Sequence, residues 1–354
     1  MNDSHWQVLL NLIQGKQVSV PPVGLIIDSP WLPGWAGIST LDYFTDNELW
    51  FQANKKAIET FPEAMFLPGF WSEFGMCTEP SAFGAKSVWQ RNDLPFAKKV
   101  IHKIEDIDQL GVPNPETDGL APFMLNRLIL NRKKIEHMGH KIRFAVARGP
   151  LNVASFLMGA TELLISLRTD TRQVHKLLEI VTEYTVQWLQ LQKKTFDTID
   201  GVLILDDIVG FCGEPDFKEF AEPYLKQIFG CLDVAVRFFH NDAEGKVCAP
   251  HLAEIGINMF NFSFLHSLNE MKQWTNNKVV LVGNIPPRDV LALGKPEQIR
   301  ESVNEELKSL SDRTRILWSC GGAMSGGIST ENVKSFIEAV QNTESIKNSE
   351  GEKQ

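Results

Sequence analysis

The sequence predicts an α/β chain folded as a single (β/α)8 TIM barrel over residues 1–342. Three observations predict it. About eight short apolar runs alternate with stretches of helical period. The runs are apolar throughout instead of alternating with polar residues, as strands of a parallel sheet covered on both faces do. The same alternation fits an open doubly wound sheet. However, neither GxGxxG after the first run nor GxxxxGK[ST] anywhere is present, so a nucleotide-binding sheet loses its main support.

In order, residues 4–15 read as a helix and Val23–Ile27 as a first strand with a polar exit, Asp28, Ser29, Pro30. The Trp-, Pro- and Gly-rich segment Trp31–Ser39 reads as a loop, and Leu41–Phe61 as helical. Ala64–Phe70 is the second strand, followed by a long loop, Trp71–Lys86, that carries Glu73, Cys77 and Glu79. Ser87–Ile104 reads as a small hairpin, and helical character resumes over Ile104–Leu110 and Ala121–His137. Arg143–Arg148 is the third strand, with helices over residues 152–168 and Thr171–Phe196. Gly201–Leu205 is the fourth strand, Asp216–Asp233 a helix, and Ala235–Asp242 the fifth strand. Helix Gly245–Ile255, strand Met259–Ser263 and helix His266–Trp274 follow. Strand Val279–Val282 exits at Gly283 and Asn284 into a helix opened by Pro286 or Pro287, a tolerated place for proline. Helix Pro296–Leu310, strand Arg315–Trp318, the loop GGAMSGG and helix Thr330–Val340 complete the pattern, and the polar tail, residues 343–354, reads as disordered.

The chain has 354 residues, 43% of them hydrophobic, which is ample for a large core. A net charge of -9 without clustered Lys and Arg argues against a nucleic-acid partner. Five scattered cysteines, none in a CxxC pair, argue for a reducing compartment. The amphipathic N-terminus lacks the basic start of a signal peptide, and no apolar run approaches a membrane span. The expectation is a soluble cytoplasmic protein that makes no membrane contact.

In a (β/α)8 barrel the active site lies at the carboxyl ends of the strands. Those ends carry Asp28, Arg148, Asp206, Asp207, His240, Asp242, Asn261, Asn284 and Cys320. Side chains alternate along a strand, so His240 and Asp242 share one face and Asn241 takes the other. An imidazole and a carboxylate on one face can bracket a metal ion or a proton. Asn and Asp also form ordinary turns, but acids, an arginine and a His–Asp pair recurring on one rim exceed what turns require. Acid–base work by His240 with Asp207 is the metal-free option.

Several stretches resemble the uroporphyrinogen decarboxylase superfamily. They are RGPLNVASFLMG (148–159), LDDIVGFCGEPDFKEFAEPYLKQIF (205–229), FHNDAEG (239–245) and SCGGAMSGGISTENVKSF (319–336). The resemblance runs from about residue 20 to 342 and implies a (β/α)8 barrel of that type. The superfamily's decarboxylases resemble one another in an N-terminal motif with paired arginines, suited to a substrate rich in carboxylates. Here the matching segment is GLIIDSPWLPG, and no arginine precedes Arg91. Asp207 stands where those enzymes have a serine, and Gly322 where they have a late histidine.

The resemblance is closer to the branch that moves methyl groups between a corrinoid and a thiol such as coenzyme M. In that branch a zinc ion held by H-x-C and a later cysteine activates the thiol. Here His240 matches the ligand histidine, Asp242 replaces the first cysteine, and Cys320 lies two positions before the second. His240, Asp242 and Cys320 are therefore the zinc candidates that the resemblance implies. His240, Asp207 and Asp206 are the catalytic candidates. Arg148, Asn261, Asn284, Glu79 and Asp28 are the substrate-binding candidates. The function implied is corrinoid-dependent methyl transfer to a thiol or folate acceptor, with a corrinoid protein or free cobamide as partner and a homodimer as the assembly barrels of this type often form. The alternatives are a lyase acting on a carboxylated substrate and a non-catalytic corrinoid-binding protein.

Overall fold

The computed structural model describes residues 1–27 and 30–342, so Asp28 and the polar tail lie outside the described residues. Eight parallel strands form one curled sheet: β1 (Val23–Ile26), β2 (Ala64–Leu67), β3 (Phe144–Arg148), β4 (Gly201–Leu205), β5 (Val236–Asn241), β6 (Met259–Phe262), β7 (Val280–Ile285) and β8 (Ile316–Cys320). Their order across the sheet is β2-β1-β8-β7-β6-β5-β4-β3, with helices between most successive strands, which is the barrel the sequence predicts. Among the described residues no ladder joins β2 to β3 across the seam. A two-stranded antiparallel ribbon, Ser87–Val88 with Phe96–Ala97, stands outside the sheet where a hairpin is expected.

Alternation along each strand divides the core in two. Ile26, Leu67, Phe144, Leu203, Leu205, Phe238, Met259, Val282 and Leu317 fill the barrel interior. Their neighbours in sequence, such as Leu25, Phe66, Ala145, Ile204, Phe239, Phe260, Leu281, Ile316 and Trp318, pack outward against the helices. Both sides are buried, so the strands read as continuous apolar runs. The N-terminal helix Asp3–Ile13 closes the bottom of the barrel. Its Trp6, Leu9 and Leu12 join the interior cluster, and Trp6 meets Phe144 edge-on with ring centres 5.5 Å apart.

Several expected helices are broken, each for a local reason. Leu41–Phe61 divides at Asp46, whose carboxylate caps the second piece by accepting from the backbone of Glu48 and Leu49. The 152–168 stretch bends by 105° at Gly159, where φ is +104°. Asp216–Asp233 divides at Ala221, because Pro223 opens the second piece and has no N–H to continue the first. The expected helix Gly245–Ile255 starts only at Ala249, and the N–H of Gly245 is bound to His266 Nε2. A short helix, Leu32–Ala36, occupies part of the expected Trp31–Ser39 loop, with Pro33 in its first turn. The strand-end expectation at β8 is also short, for the strand runs on to Cys320. Among the described residues no single helix is long and apolar enough to cross a membrane.

The plug at the bottom of the barrel has a measurable consequence. Trp6 is buried against Phe144, so Trp6→Ala is expected to cost about 3 kcal/mol in equilibrium denaturation. A loss below ~0.5 kcal/mol would show that the helix merely rests on the barrel.

Candidate active site at the barrel mouth

The β4 exit places its two aspartates by the same alternation. Leu205 points inward, so Asp206 points outward and Asp207 inward again. Asp206 is fully buried, and its carboxylate accepts from the N–H groups of Leu151 (2.9 Å) and Asn152 (3.0 Å) in the first turn of the helix Pro150–Met158. Burial, reinforced by the charge of Asp207, pushes its pKa well above the ordinary carboxylate value against the pull of those N–H groups. A side chain at Gly149 would bring Cβ to 2.3 Å from Asp206 Oδ2, which accounts for the glycine in the RGPLN segment. Asp206, expected among the catalytic groups, instead seats a helix N-terminus on the sheet. Asn152 completes the clamp: its Oδ1 accepts from Asp207 N and Ile208 N, and its Nδ2 donates to Leu205 O and Asp207 Oδ2. Sequence reasoning did not single out Asn152.

On β5, His240 faces the barrel axis with Phe238, buried to within 4%. Its Nδ1 lies 2.7 Å from Asn261 Oδ1. Asn261 donates from Nδ2 to Val282 O and Cys320 O, so its Oδ1 must be the acceptor and His240 Nδ1 the donor. That fixes the ring with Nε2 turned to the carboxylates, 3.2 Å from Asp242 Oδ1 and 4.0 Å from Asp207 Oδ1. Asp242 N donates to Asp207 Oδ1 at 2.8 Å, tying the two strand ends together. Ligand atoms of Asp207, His240 and Asp242 all lie within 4.8 Å of one another. The two carboxylates remain partly exposed at the mouth, with side chains 35% and 48% accessible.

The electrostatics follow from this geometry. Burial opposes a charge on His240, but Asp242, by charge and hydrogen bond, together with Asp207, outweighs it and raises the imidazole to about 9. Burial would raise Asp242, and the imidazolium beside it, helped by Arg148, holds it below the ordinary value.

Arg148 ends β3 with its side chain on the inner face. Its guanidinium pairs with Glu73 Oε2 at 3.0 Å, and its backbone N–H donates to Glu79 Oε1. Glu79 is raised by burial, while Arg148 pulls the other way. Glu73, which the sequence alone leaves as a loop acid, is thus the partner of the mouth's arginine. Asn284 also faces inward, and its Nδ2 donates to His266 O at 2.5 Å, joining the β6 and β7 exits. Asp28 lies outside the described residues.

Cys320 is not brought to this cluster. It shares its side of β8 with Ile316 and Trp318, which face the helices, and its Sγ donates to Gly322 O at 3.3 Å. The expected set of His240, Asp242 and Cys320 is not assembled, and Asp207 takes the third place. A thiolate-ligated zinc centre does not fit these residues. The glycine-rich loop serves the cluster differently: at Gly322, with φ +98°, a Cβ would stand 2.4 Å from Asp242 Oδ1. The wider clefts, of about 620, 380 and 330 Å3, lie elsewhere, against Arg315, Lys134 and His140, and none of the three cluster residues lines them.

A family model described as uroporphyrinogen decarboxylase matches residues 6–343. The uroporphyrinogen decarboxylases of Chloroherpeton thalassium and Actinobacillus succinogenes are 26% identical over 277 residues and 22% over 276, respectively. Each match covers 74% of this chain and 75% of the relative. Among solved structures, a methyltransferase from Methanosarcina mazei superposes with a TM-score of 0.79 at 19% identity, covering 95% of this chain and 98% of that one. At that identity the likeness is one of fold.

The His240 pair predicts the pH dependence of stability in the cation-free protein. A folded-state value of about 9 against 6.5 gives a contribution that is complete below pH 6.5 and lost as pH rises through 9. The difference corresponds to about 3 kcal/mol at most. Thermal unfolding of the wild type is expected to weaken across that window more steeply than that of His240→Gln. Parallel profiles for the two proteins would refute the charged pair.

Proposed function

The chain belongs to the uroporphyrinogen decarboxylase family, and on that premise we propose that it is a methyltransferase moving a methyl group between a corrinoid and a thiol or folate acceptor. The observation that supports this reading is the charge at the mouth. Asp207 and Asp242 face the axis beside His240, and Arg148, the cation on β3, is engaged by Glu73. A substrate carrying carboxylates needs cations to meet it, and carboxylates around the mouth would repel it. A thiol or folate acceptor presents an S–H or N–H at its reacting end, remote from its own sulfonate or carboxylates. As the carbon–acceptor bond forms and the carbon–cobalt bond breaks, the acceptor must lose that proton. In this reading Asp207 and Asp242 receive it, with the imidazolium of His240 balancing their charge and Asn261 holding the ring.

A large, flat corrinoid, free or on a carrier protein, suits what surrounds the mouth. Phe211, Phe264 and Leu265 stand just past the exits of β4 and β6, each at least 42% exposed. Exposed apolar side chains gathered on one end of a barrel are the kind of surface a partner covers.

The reading is tested with methylcobalamin and, in turn, 2-mercaptoethanesulfonate and tetrahydrofolate under anaerobic conditions, following the cobalamin absorption spectrum. Loss of the methylated form is expected with one acceptor, slowed 100-fold or more in His240→Ala and Asp242→Ala. If neither acceptor demethylates the corrinoid, free or carrier-bound, while a carboxylated tetrapyrrole loses carbon dioxide, the lyase reading replaces this one.

A further inference from the structure

The resemblance to the methyltransferase branch implies a cation held partly by sulfur, and this chain's residues do not assemble one. Alternation along β8 turns Cys320 toward the helices, while alternation along β4 and β5 turns Asp207, His240 and Asp242 to the axis. Their ligand atoms fall within 4.8 Å of one another, two carboxylates and one imidazole. Asn261 takes the Nδ1 hydrogen, so Nε2 is the nitrogen left facing the carboxylates. A ligand histidine held through its other nitrogen is the arrangement metal sites use to orient the ring. Gly322 leaves Asp242 its place, since a Cβ there would stand 2.4 Å from Asp242 Oδ1.

A second observation lies on the same inner face of the barrel. Ser319 follows Leu317, an interior residue, by two positions, so its side chain faces the axis. It pairs across the ladder with Asn284, which also faces inward. The Ser319 hydroxyl is fully buried, and its oxygen has no hydrogen-bond partner. Buried hydroxyls are almost always partnered, and one left open on the inner face can meet a water or a ligand oxygen.

We propose that Asp207, His240 and Asp242 bind one divalent cation through two carboxylates and one imidazole, with the Ser319 hydroxyl meeting a water or substrate oxygen on that cation, and that Cys320 takes no part. Two carboxylates balance the double charge. The donor set has no sulfur, so it accepts Mn2+ as well as the nitrogen-preferring Co2+ and Zn2+. This deepens the methyltransferase reading by naming the ligands of its centre, and it is measured without turnover. Failed methyl transfer therefore leaves it standing, and failed cation binding leaves the acid–base form of that reading standing.

The test uses the full chain, stripped with a chelator. Mn2+ is titrated by electron paramagnetic resonance, which reads free ion, and Co2+ by absorption. About one Mn2+ per chain is expected. The dissociation constant should rise at least 10-fold in Asp207→Asn, Asp242→Asn and His240→Gln, and about 3-fold in Ser319→Ala. Circular dichroism and melting temperature separate lost ligands from lost fold, and Ser319→Ala serves as the mild variant should the others unfold. The Co2+ protein should show no thiolate-to-cobalt charge-transfer band, and Cys320→Ser should bind as the wild type does. A charge-transfer band that disappears in Cys320→Ser would overturn the proposal, as would the absence of Mn2+ binding at millimolar concentration.

Discussion

The period-two alternation of a β-strand decides which side chains reach the mouth of this barrel. Every strand is buried on both faces and each face is packed against its own neighbours, so turning a strand over would drive interior side chains against the helices and spoil both packings. Phe238 inside and Phe239 outside lock β5 in register. His240 and Asp242 then have no choice but to face the axis. The same lock on β4 sends Asp206 outward and Asp207 inward, although the two are adjacent and chemically identical. On β8 it sends Ser319 inward and Cys320 outward. The reacting groups are thus chosen by packing two and four residues away from them.

The outward residues do a second job, which joins the layers. Asp206 reaches across to the helix that follows β3 and accepts two of its unsatisfied N–H groups. Asn152, from that same helix, reaches back to hold the backbone of Asp207 and Ile208. The exit of β4 is therefore gripped from both directions, and a carboxylate beside it stays in place when its neighbours change charge. Asn261 does the equivalent on the other flank, holding His240 while its own amide is spent on the carbonyls of Val282 and Cys320. Precision at the mouth comes from amides and a buried acid that act by holding the reacting groups in place.

Much of this was legible in the sequence, and the limits were physical. The strand count, the barrel and the pairing of His240 with Asp242 followed from apolar runs and alternation, which are local properties. The error at Cys320 came from ending β8 at Trp318. The polar pair Ser319–Cys320 looked like an exit, yet the ladder to Asn284 and Ile285 carries the strand two residues further. Asp206 and Asp207 could not be separated without knowing which of them continues the inward set. Glu73 and Asn152 were invisible as site residues because their partners, Arg148 and Asp207, lie 75 and 55 positions away. A bond across that distance leaves no periodic trace. The break at Ala221, by contrast, was written in Pro223 and only needed to be given its full weight.

The charge balance narrows the chemistry further than the fold does. Asp207 and Asp242 share one imidazolium, and Arg148 is shared between Glu73 and the field at Asp242. Moving Arg148 onto a substrate carboxylate would leave Glu73, only 8% exposed, as a buried charge without its cation, at a cost that removing one partner of a buried pair typically puts at several kcal/mol. A carboxylated substrate would meet that cost as well as repulsion from the two aspartates. The S–H or N–H end of an acceptor whose acidic groups lie far from it, or a cation that draws the two carboxylates together, meets neither. The fold is that of decarboxylase relatives, but the residues at its mouth favour a reacting group that itself carries no negative charge.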